Sequence, residues 1–248
     1  MCLIVFAWRP GHALPLLVAA NRDEFYARPS QAAAPWPEAP GIIAGRDLQA
    51  GGTWLGIGPN GRFAALTNIR DPSLALGQRS RGELAANFLR GGHNPAEFLR
   101  DLSQQRQHYS GFNLLLGDAQ QLWHFNSHSA EIRCLPAGLY GLSNDDLDTP
   151  WPKLQRAKAD LATCLAKPSS SALLQLLHNP QPAADELLPD TGVGLPTERL
   201  LSSVFIHSDA YGTRASTSVI VHSDGRRELT ERSFASHGEF IAEVQWQG

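Results

Sequence analysis

Cys2 is the residue of this sequence best placed for chemistry, because removal of the initiator Met1 would make it the first residue. Removal is favoured when the next residue is small, and it would leave a free α-amine and a thiol on one residue. The pKa of an α-amine is ~8 and that of a thiol ~8.5, so modest shifts would give an amine base and a thiolate at neutral pH. The position therefore predicts a nucleophile that carries its own general base. The alternative is a buried strand cysteine, one of three scattered along the chain.

Four consecutive polar residues, Asn21-Arg22-Asp23-Glu24, follow an apolar run. A pocket floor requires a cation to hold an anionic group and carboxylates to orient it. If the strand continues through this segment, Arg22 and Glu24 face one side, and Asn21 and Asp23 face the other. An ordinary polar strand exit with local hydrogen bonds is the alternative interpretation.

Two asparagines, Asn68 and Asn144, each come directly after a predicted strand. Side-chain amides fixed at strand ends can hold a tetrahedral oxyanion, and loss of one such donor costs ~2.7–4 kcal/mol. Asparagine at this position also serves in turns. The nine histidines lack paired metal-ligand spacing, and no Walker A, GxGxxG or GxSxG motif occurs, so we expect no metal and no required cofactor.

The element that must position Cys2 is the apolar run Cys2–Trp8, which is typical of a strand covered on both faces. A Pro-Gly turn and a second apolar run, Leu14–Ala20, predict a β-hairpin. Strand pairing across that turn would join residues whose numbers sum to about 21 or 22. The expected partner of Cys2 is then Ala19 or Ala20, with Asn21–Glu24 emerging beside the cysteine.

The rest of the sequence predicts further strands and two groups of helices. The predicted strands are Gly52–Ile57, Arg62–Thr67, Gly111–Gly117, Leu122–Asn126, Glu131–Leu135, Leu139–Ser143, Val204–Ile206, Ala215–His222 and Arg227–Ser233. Helices are predicted from a Ser80–Glu83 capping box to about Arg90, after Asn94-Pro95, after Thr149-Pro150-Trp151, and over Ser171–Leu177. These helices would form outer layers over stacked sheets. The Pro- and Asp-rich stretch Asn179–Pro196 is either a mobile loop over a site or a plain connector.

Composition limits the class of protein. With 248 residues, 42% of them hydrophobic and 18% charged, the chain predicts one globular domain over residues 1–248. A net charge of -3 with scattered basic residues argues against nucleic acid or an anionic membrane as partner. No apolar run has the length of a transmembrane helix, and Arg9-Pro10-Gly11 ends the N-terminal one too early for a signal peptide. Few, scattered cysteines favour a reducing, cytoplasmic setting.

Ten ordered motifs give the chain a resemblance to the NRDE family, that of transport and Golgi organisation protein 2, over nearly its full length. They include Met1-Cys2-Leu3-Ile4, Ala19–Tyr26, Gly51–Gly56, Ala65–Asn68, Arg81–Leu84, Gly111–Leu114, Tyr140–Asn144, Thr149–Leu154, Tyr211–Arg214 and Thr230–Ser233. The resemblance implies an α+β fold of the N-terminal-nucleophile (Ntn) hydrolase type, a four-layer αββα sandwich with two antiparallel sheets between helical layers. It also implies roles in haem trafficking and in membrane or lipid metabolism.

The chain also resembles, more distantly, the choloylglycine hydrolase and penicillin acylase branch of Ntn hydrolases, which cleave linear amides. This resemblance implies that Cys2 is the nucleophile, with Arg22 and Asp23 beside it. Asn68 and Asn144 would match the two asparagines of the oxyanion region. Those hydrolases space arginine and aspartate three apart, whereas Arg22 and Asp23 are adjacent here, so the aspartate role falls to Asp23 or Glu24. Arg199 or Arg214 would supply a later arginine.

Two functions follow from these resemblances. One is hydrolysis of a small-molecule amide, a non-peptide C–N bond, by Cys2. The other is non-catalytic binding of haem or lipid in the same pocket, with Arg22 pairing a carboxylate and Trp54 or Phe25 stacking on the ligand. Asn21, Glu24 and Arg214 complete the expected ligand-binding set.

Overall fold

The computed structural model describes residues 2–74 and 76–248. Its strands are β1 (Cys2–Trp8), β2 (Leu16–Phe25), β3 (Ser30–Pro35), β4 (Ile43–Asp47), β5 (Leu55–Ile57), β6 (Phe63–Asn68), β7 (Phe112–Gly117), β8 (Leu122–Asn126), β9 (Glu131–Cys134), β10 (Gly138–Leu142), β11 (Tyr211–Val221), β12 (Arg227–Phe234) and β13 (Phe240–Gln247). Its α-helices are α1 (Gly82–Arg90), α2 (Pro95–Ser103), α3 (Pro152–Cys164), α4 (Ser170–Gln175) and α5 (Leu195–Leu201).

The strands form two antiparallel sheets. The sheet that contains Cys2, here called the Cys2 sheet, has the order β10-β1-β2-β11-β12-β13. The sheet that contains Asn68, here called the Asn68 sheet, has the order β3-β4-β5-β6-β7-β8-β9. The spacing of the predicted strands from Gly111 to Ser143 is typical of an antiparallel meander; this holds for β7 to β9, whereas β10 crosses over to pair with β1.

Three apolar layers hold the sheets and helices together. Along β1, Ile4 and Phe6 point into the core between the sheets, while Leu3 and Val5 point to the opposite face. That opposite face packs against α3 and α4, and the outer face of the Asn68 sheet packs against α1 and α2. Both faces of β1 are buried, which explains why its sequence is continuously apolar. The four-layer αββα sandwich expected from the sequence is confirmed.

The register of the first hairpin differs from the prediction. Cys2 pairs with Arg22, not with Ala19 or Ala20. Because Trp8 pairs with Leu16, the connection between the two strands occupies the seven residues 9–15. The prediction of a tight Pro-Gly turn is therefore wrong. β2 continues to Phe25, so the polar segment lies inside the strand and its alternation is set by the sheet.

Several local predictions were also wrong. Val204–Ile206 is buried but forms no strand, because its backbone follows the end of α5 and bonds to a loop carbonyl at Asn179. The Ser80–Glu83 capping box is absent: Arg81 is the N-cap and makes no side-chain cap bond. The cap at Asn94 is confirmed, since its side chain accepts from the Ala96 and Glu97 amides. Three strands, β3, β4 and β13, went unpredicted.

Candidate active site

A cavity of about 180 Å³ lies where the ends of both sheets meet the start of α1. We call it the Cys2 cavity. Its walls come from six parts of the chain, and the lining residues used below are Cys2, Arg22, Asp23, Glu24, Arg28, Asp47, Trp54, Asn68, Arg79 and Arg81. Six of the ten residues predicted for the site therefore line one cavity: Cys2, Arg22, Asp23, Glu24, Trp54 and Asn68.

Glycine lets the two sides of this cavity approach each other. Gly52 has φ +81°, and a Cβ there would lie 2.3 Å from the carbonyl of Gly82, the first residue of α1. The next residue, Thr53, donates its amide to the Gly82 carbonyl at 3.0 Å. Only a residue without a side chain permits this contact, which fixes the entrance of α1 against the loop that carries Trp54.

Cys2 and Arg22 form the centre of the cavity. They are paired across β1 and β2, and their exposed fractions are 9% and 6%. The Arg22 guanidinium lies 4.2 Å from the centroid of the Trp54 ring and donates to the Ser30 hydroxyl at 3.4 Å. Burial raises the pKa of the Cys2 thiol, while Arg22 and the backbone amide of Asp23 act in the opposite direction. A thiolate here therefore requires a nearby base to take its proton.

Asp23 and Glu24 occupy different environments, and the difference indicates which of them can take the aspartate role beside Cys2. Asp23 is 1% exposed, and its Oδ1 accepts from the Thr213 hydroxyl at 2.7 Å. Burial raises the pKa of Asp23, with Lys153 opposing that shift. Glu24 is partly exposed, and its Oε2 lies 3.8 Å from Arg28 Nε. Asp23 is thus the carboxylate held in the interior beside Cys2, and Glu24 belongs to the rim.

Lys153, from the first turn of α3, is buried behind this carboxylate. It is 2% exposed, and its Nζ makes no hydrogen bond to any described residue. Burial lowers the pKa of Lys153 to about 8, while Asp23 and Cys2 act to raise it. A buried lysine is uncommon, and nothing in the sequence except its place in a motif distinguishes Lys153 from other lysines.

Asn68 and Asn144 lie next to each other, but only Asn68 faces the Cys2 cavity. Asn144 is 1% exposed, and its Nδ2 donates to the backbone carbonyl of Asn68 at 2.9 Å. The Ser143 hydroxyl lies 3.0 Å from the Cys2 carbonyl oxygen and 3.3 Å from Asn144 Oδ1. Asn68 lines the Cys2 cavity, whereas Asn144 lies outside its lining and ties the end of β6 to the end of β10.

Three other predicted residues lie away from the cavity. The Asn21 amide donates to the carbonyls of Leu177 and Val204 on the helix-facing side of β2. Phe25 is 58% exposed and packs edge-on against Tyr211. Arg214 is the extra residue of a bulge in β11 and donates to the carbonyls of Phe25 and Arg28. It therefore supports the turn after β2.

The alternative late arginine, Arg199, is exposed on α5 and pairs with Asp185 at 2.5 Å. Of the two arginines left open by the sequence, Arg214 is the one that lies near Arg22, because it precedes Ala215, the residue of β11 that pairs with Arg22. Neither lines the Cys2 cavity.

Three arginines that line the cavity beside Arg22 were not identified from the sequence. They are Arg28, Arg79 and Arg81, in the turn after β2 and in the entrance to α1. The one available signal is the density of arginine in Arg79-Ser80-Arg81, which overlaps the predicted Ser80–Glu83 capping box.

The stretch Asn179–Pro196 does not cover the Cys2 cavity. Residues 189–192 instead line a second cavity of about 790 Å³ with residues 69–73, 145 and 146, and the two cavities share no lining residue.

Across residues 2–74 and 76–248, no three His, Cys, Asp or Glu side chains are arranged to hold a metal. In the same ranges no helix is long and apolar enough to cross a membrane.

A two-sheet core between helical layers, with a cysteine at the head of a central strand, defines the Ntn-hydrolase fold class. Comparison with solved structures agrees: the chain aligns with the Caenorhabditis elegans N-acylethanolamine-hydrolyzing acid amidase ortholog at a TM-score of 0.54, over 88% of this chain and 92% of that one. Sequence identity is 12%, so this likeness establishes the fold alone.

Sequence comparison identifies the family. Residues 1–236 match the family model for Transport and Golgi organisation 2. The human Transport and Golgi organization protein 2 homolog is 35% identical, with 94% of this chain and 93% of the relative covered. The Drosophila melanogaster Transport and Golgi organization protein 2 is 28% identical, with 97% and 95% covered. The chain belongs to the Transport and Golgi organisation 2 family, which confirms the resemblance found from its motifs.

Proposed function

We propose that this chain is an Ntn-type cysteine amidohydrolase that cleaves a linear amide, with Cys2 as its nucleophile. The observation that carries the proposal is the pairing of Cys2 with Arg22 at the floor of one cavity. The C. elegans protein with the similar fold is named for hydrolysis of N-acylethanolamines, which are linear amides, and this supports the same reaction class here.

The reaction begins after Met1 has been removed. The α-amine of Cys2 takes the thiol proton, and Sγ attacks the amide carbonyl carbon. The C–N bond breaks, the leaving amine takes the proton, and the acyl group remains on Sγ as a thioester. Water then hydrolyses the thioester to a carboxylic acid and restores the thiol.

The surrounding residues have separate roles in this proposal. Arg22 favours the thiolate against the effect of burial, as does the Asp23 backbone amide. The Asp23 carboxylate, oriented by Thr213, accepts a hydrogen bond from the α-amine. The Asn68 amide is the oxyanion donor, and Asn144 holds Asn68 in position through the backbone bond at 2.9 Å.

Turnover of a panel of N-acyl amides tests this function. The protein is first shown by intact mass to lack Met1, and release of amine is then followed at pH 7–8. Wild type should hydrolyse at least one amide, Cys2→Ala should not, and Cys134→Ser, at an exposed cysteine outside the cavity, should retain full activity. Equal rates for wild type and Cys2→Ala, or retention of Met1, would rule out the mechanism.

Arginine around the cavity supports a second candidate, binding of haem or an anionic lipid without chemistry. Arg22 would pair with a propionate or carboxylate, and the side chain of Trp54 would contact the apolar part of the ligand. Haem titration separates this candidate from the first. A saturable shift of the Soret band that persists in Cys2→Ala and is lost in Arg22→Gln favours haem binding without chemistry. An unchanged Soret band would exclude haem.

A further inference from the structure

Four arginines, Arg22, Arg28, Arg79 and Arg81, line the Cys2 cavity. Two of them are neutralised within the protein. Arg28 forms an ion pair with Asp47 at 2.7 Å and lies 3.8 Å from Glu24, and Arg79 pairs with Glu83. These two arginines therefore contribute little net charge to the cavity.

Within the described residues, the other two, Arg22 and Arg81, are not paired with a carboxylate at salt-bridge distance, although the buried Glu231 interacts electrostatically with Arg22 and Glu24 does so with Arg81. Arg22 is 6% exposed, and its guanidinium contacts the Trp54 ring and the Ser30 hydroxyl. Arg81 donates to the Gly111 carbonyl at 3.0 Å, and burial lowers its pKa. Cations removed from water without a paired anion are costly, so an anion bound in the cavity that both arginines line would be favoured.

Both arginines lie close to the nucleophile. Arg22 is the strand partner of Cys2, and Arg81 lines the same cavity as Cys2. The N-terminal end of α1 at Gly82 adds backbone dipoles of the same sign on this wall. A ligand anion held here would be only a few bonds from the atom that Cys2 attacks.

We propose that the Cys2 cavity selects an anionic amide, an N-acyl amino acid, whose carboxylate is held by Arg22 and Arg81. This inference rests on the proposed hydrolase function and names its substrate class. In an N-acyl amino acid the carboxylate is two bonds from the amide nitrogen, a separation that a cavity of about 180 Å³ accommodates. Guanidinium forks match the geometry of a carboxylate, which an ethanolamine hydroxyl cannot reproduce.

The reaction balances without a further reagent. Cys2 Sγ bonds to the acyl carbon, the C–N bond breaks, and the amino acid leaves with the thiol proton. Water then cleaves the thioester to a fatty or other carboxylate. The products are one carboxylate and one free amino acid for each water consumed.

A first experiment measures anion selection without requiring turnover. Full-length protein is alkylated with iodoacetate, which is anionic, or with iodoacetamide, its neutral counterpart, and the rate at each cysteine is obtained by peptide mass spectrometry. We expect the iodoacetate-to-iodoacetamide rate ratio at Cys2 to exceed the ratio for the urea-unfolded protein by about tenfold or more. Arg81→Gln should remove most of that excess, Arg81→Lys should restore part of it, and Arg46→Gln, at a partly exposed arginine outside the cavity that pairs with Glu38, should not change it.

A second experiment compares N-hexanoylglycine with N-hexanoylethanolamine as substrates. The ratio of their kcat/KM values should favour the glycine conjugate, and Arg81→Gln should lower that ratio about tenfold. An alkylation ratio at Cys2 equal to that of unfolded protein, or preference for the ethanolamide, would overturn this inference while leaving the hydrolase intact. High alkylation selectivity with no turnover of any amide would instead overturn the hydrolase and leave the anion site standing.

Discussion

Replacing Glu198 with alanine tests the buried ion pair that attaches the 179–196 stretch to the end of β6. Glu198 Oε2 accepts from Arg70 at 2.9 Å, and the two side chains are 3% and 5% exposed. Glu198 Oε1 also accepts from the Thr191 amide at 2.9 Å and from its hydroxyl at 2.5 Å. The substitution leaves a buried guanidinium over Trp151 with no anion, which costs about 3–5 kcal/mol.

The assay is urea unfolding at pH 7, followed by circular dichroism and extrapolated to zero denaturant. Asp224→Ala is the matched control, because the Arg226–Asp224 pair is 67% and 55% exposed and should contribute at most about 1 kcal/mol. In the double variant Arg70→Met/Glu198→Leu, where no charge is left unpaired, much of the lost stability should return. If Glu198→Ala lowers the free energy of unfolding no more than Asp224→Ala does, burial does not make this ion pair more important than an exposed one.

Three further predictions concern the framework of the site. Asn144→Ala removes the donor to a partly buried carbonyl at the end of β6 and should lower the free energy of unfolding by about 1–3 kcal/mol, measured by urea titration, whereas no loss would show that water replaces the amide. Gly52→Ala should lower Tm far more than Gly51→Ala, because both have positive φ but only the Gly52 Cβ meets backbone, at 2.3 Å; equal losses would contradict the close contact. Lys153→Met should stabilise the protein at pH 7. Burial lowers the folded-state pKa of Lys153 from 10.5 to about 8, so its destabilising effect is complete below pH 8 and falls as pH rises towards 10.5. The gain in Tm over wild type should shrink over that range, and a loss at pH 7 would mean that Asp23 depends on this cation.

The parts of the fold that the sequence predicts are those with strong burial on a regular period. β1 is continuously apolar because both its faces are covered, and α1 and α2 carry apolar faces that pack on the Asn68 sheet. The unpredicted strands lack that signal. β13 is mostly exposed, and β3 is Ser-Gln-Ala-Ala-Ala-Pro with a single fully buried residue. Their strand structure comes from pairing with neighbours, which a local pattern does not contain.

In the candidate site too, residues with a local sequence signal were predicted and residues without one were not. Cys2, the polar segment at 21–24 and Asn68 were identified because each stands at a recognisable point of a predicted strand. The pairing partner of Cys2 was wrong because the turn length could not be read from its Pro-Gly alone. Arg28 and Arg81 were missed because they converge on the cavity only through long-range packing, including the contact that Gly52 allows.

Trapping the acyl group on Cys2 tests whether this residue is the nucleophile. Met-free protein is mixed with N-hexanoylglycine, quenched in acid within one turnover, and digested for mass spectrometry. The proposed function predicts a hexanoyl thioester on the N-terminal peptide of wild type, with none on the peptides of Cys134 or Cys164 and none in Cys2→Ala. An unmodified Cys2 under conditions where amine is released would contradict nucleophilic catalysis by this residue.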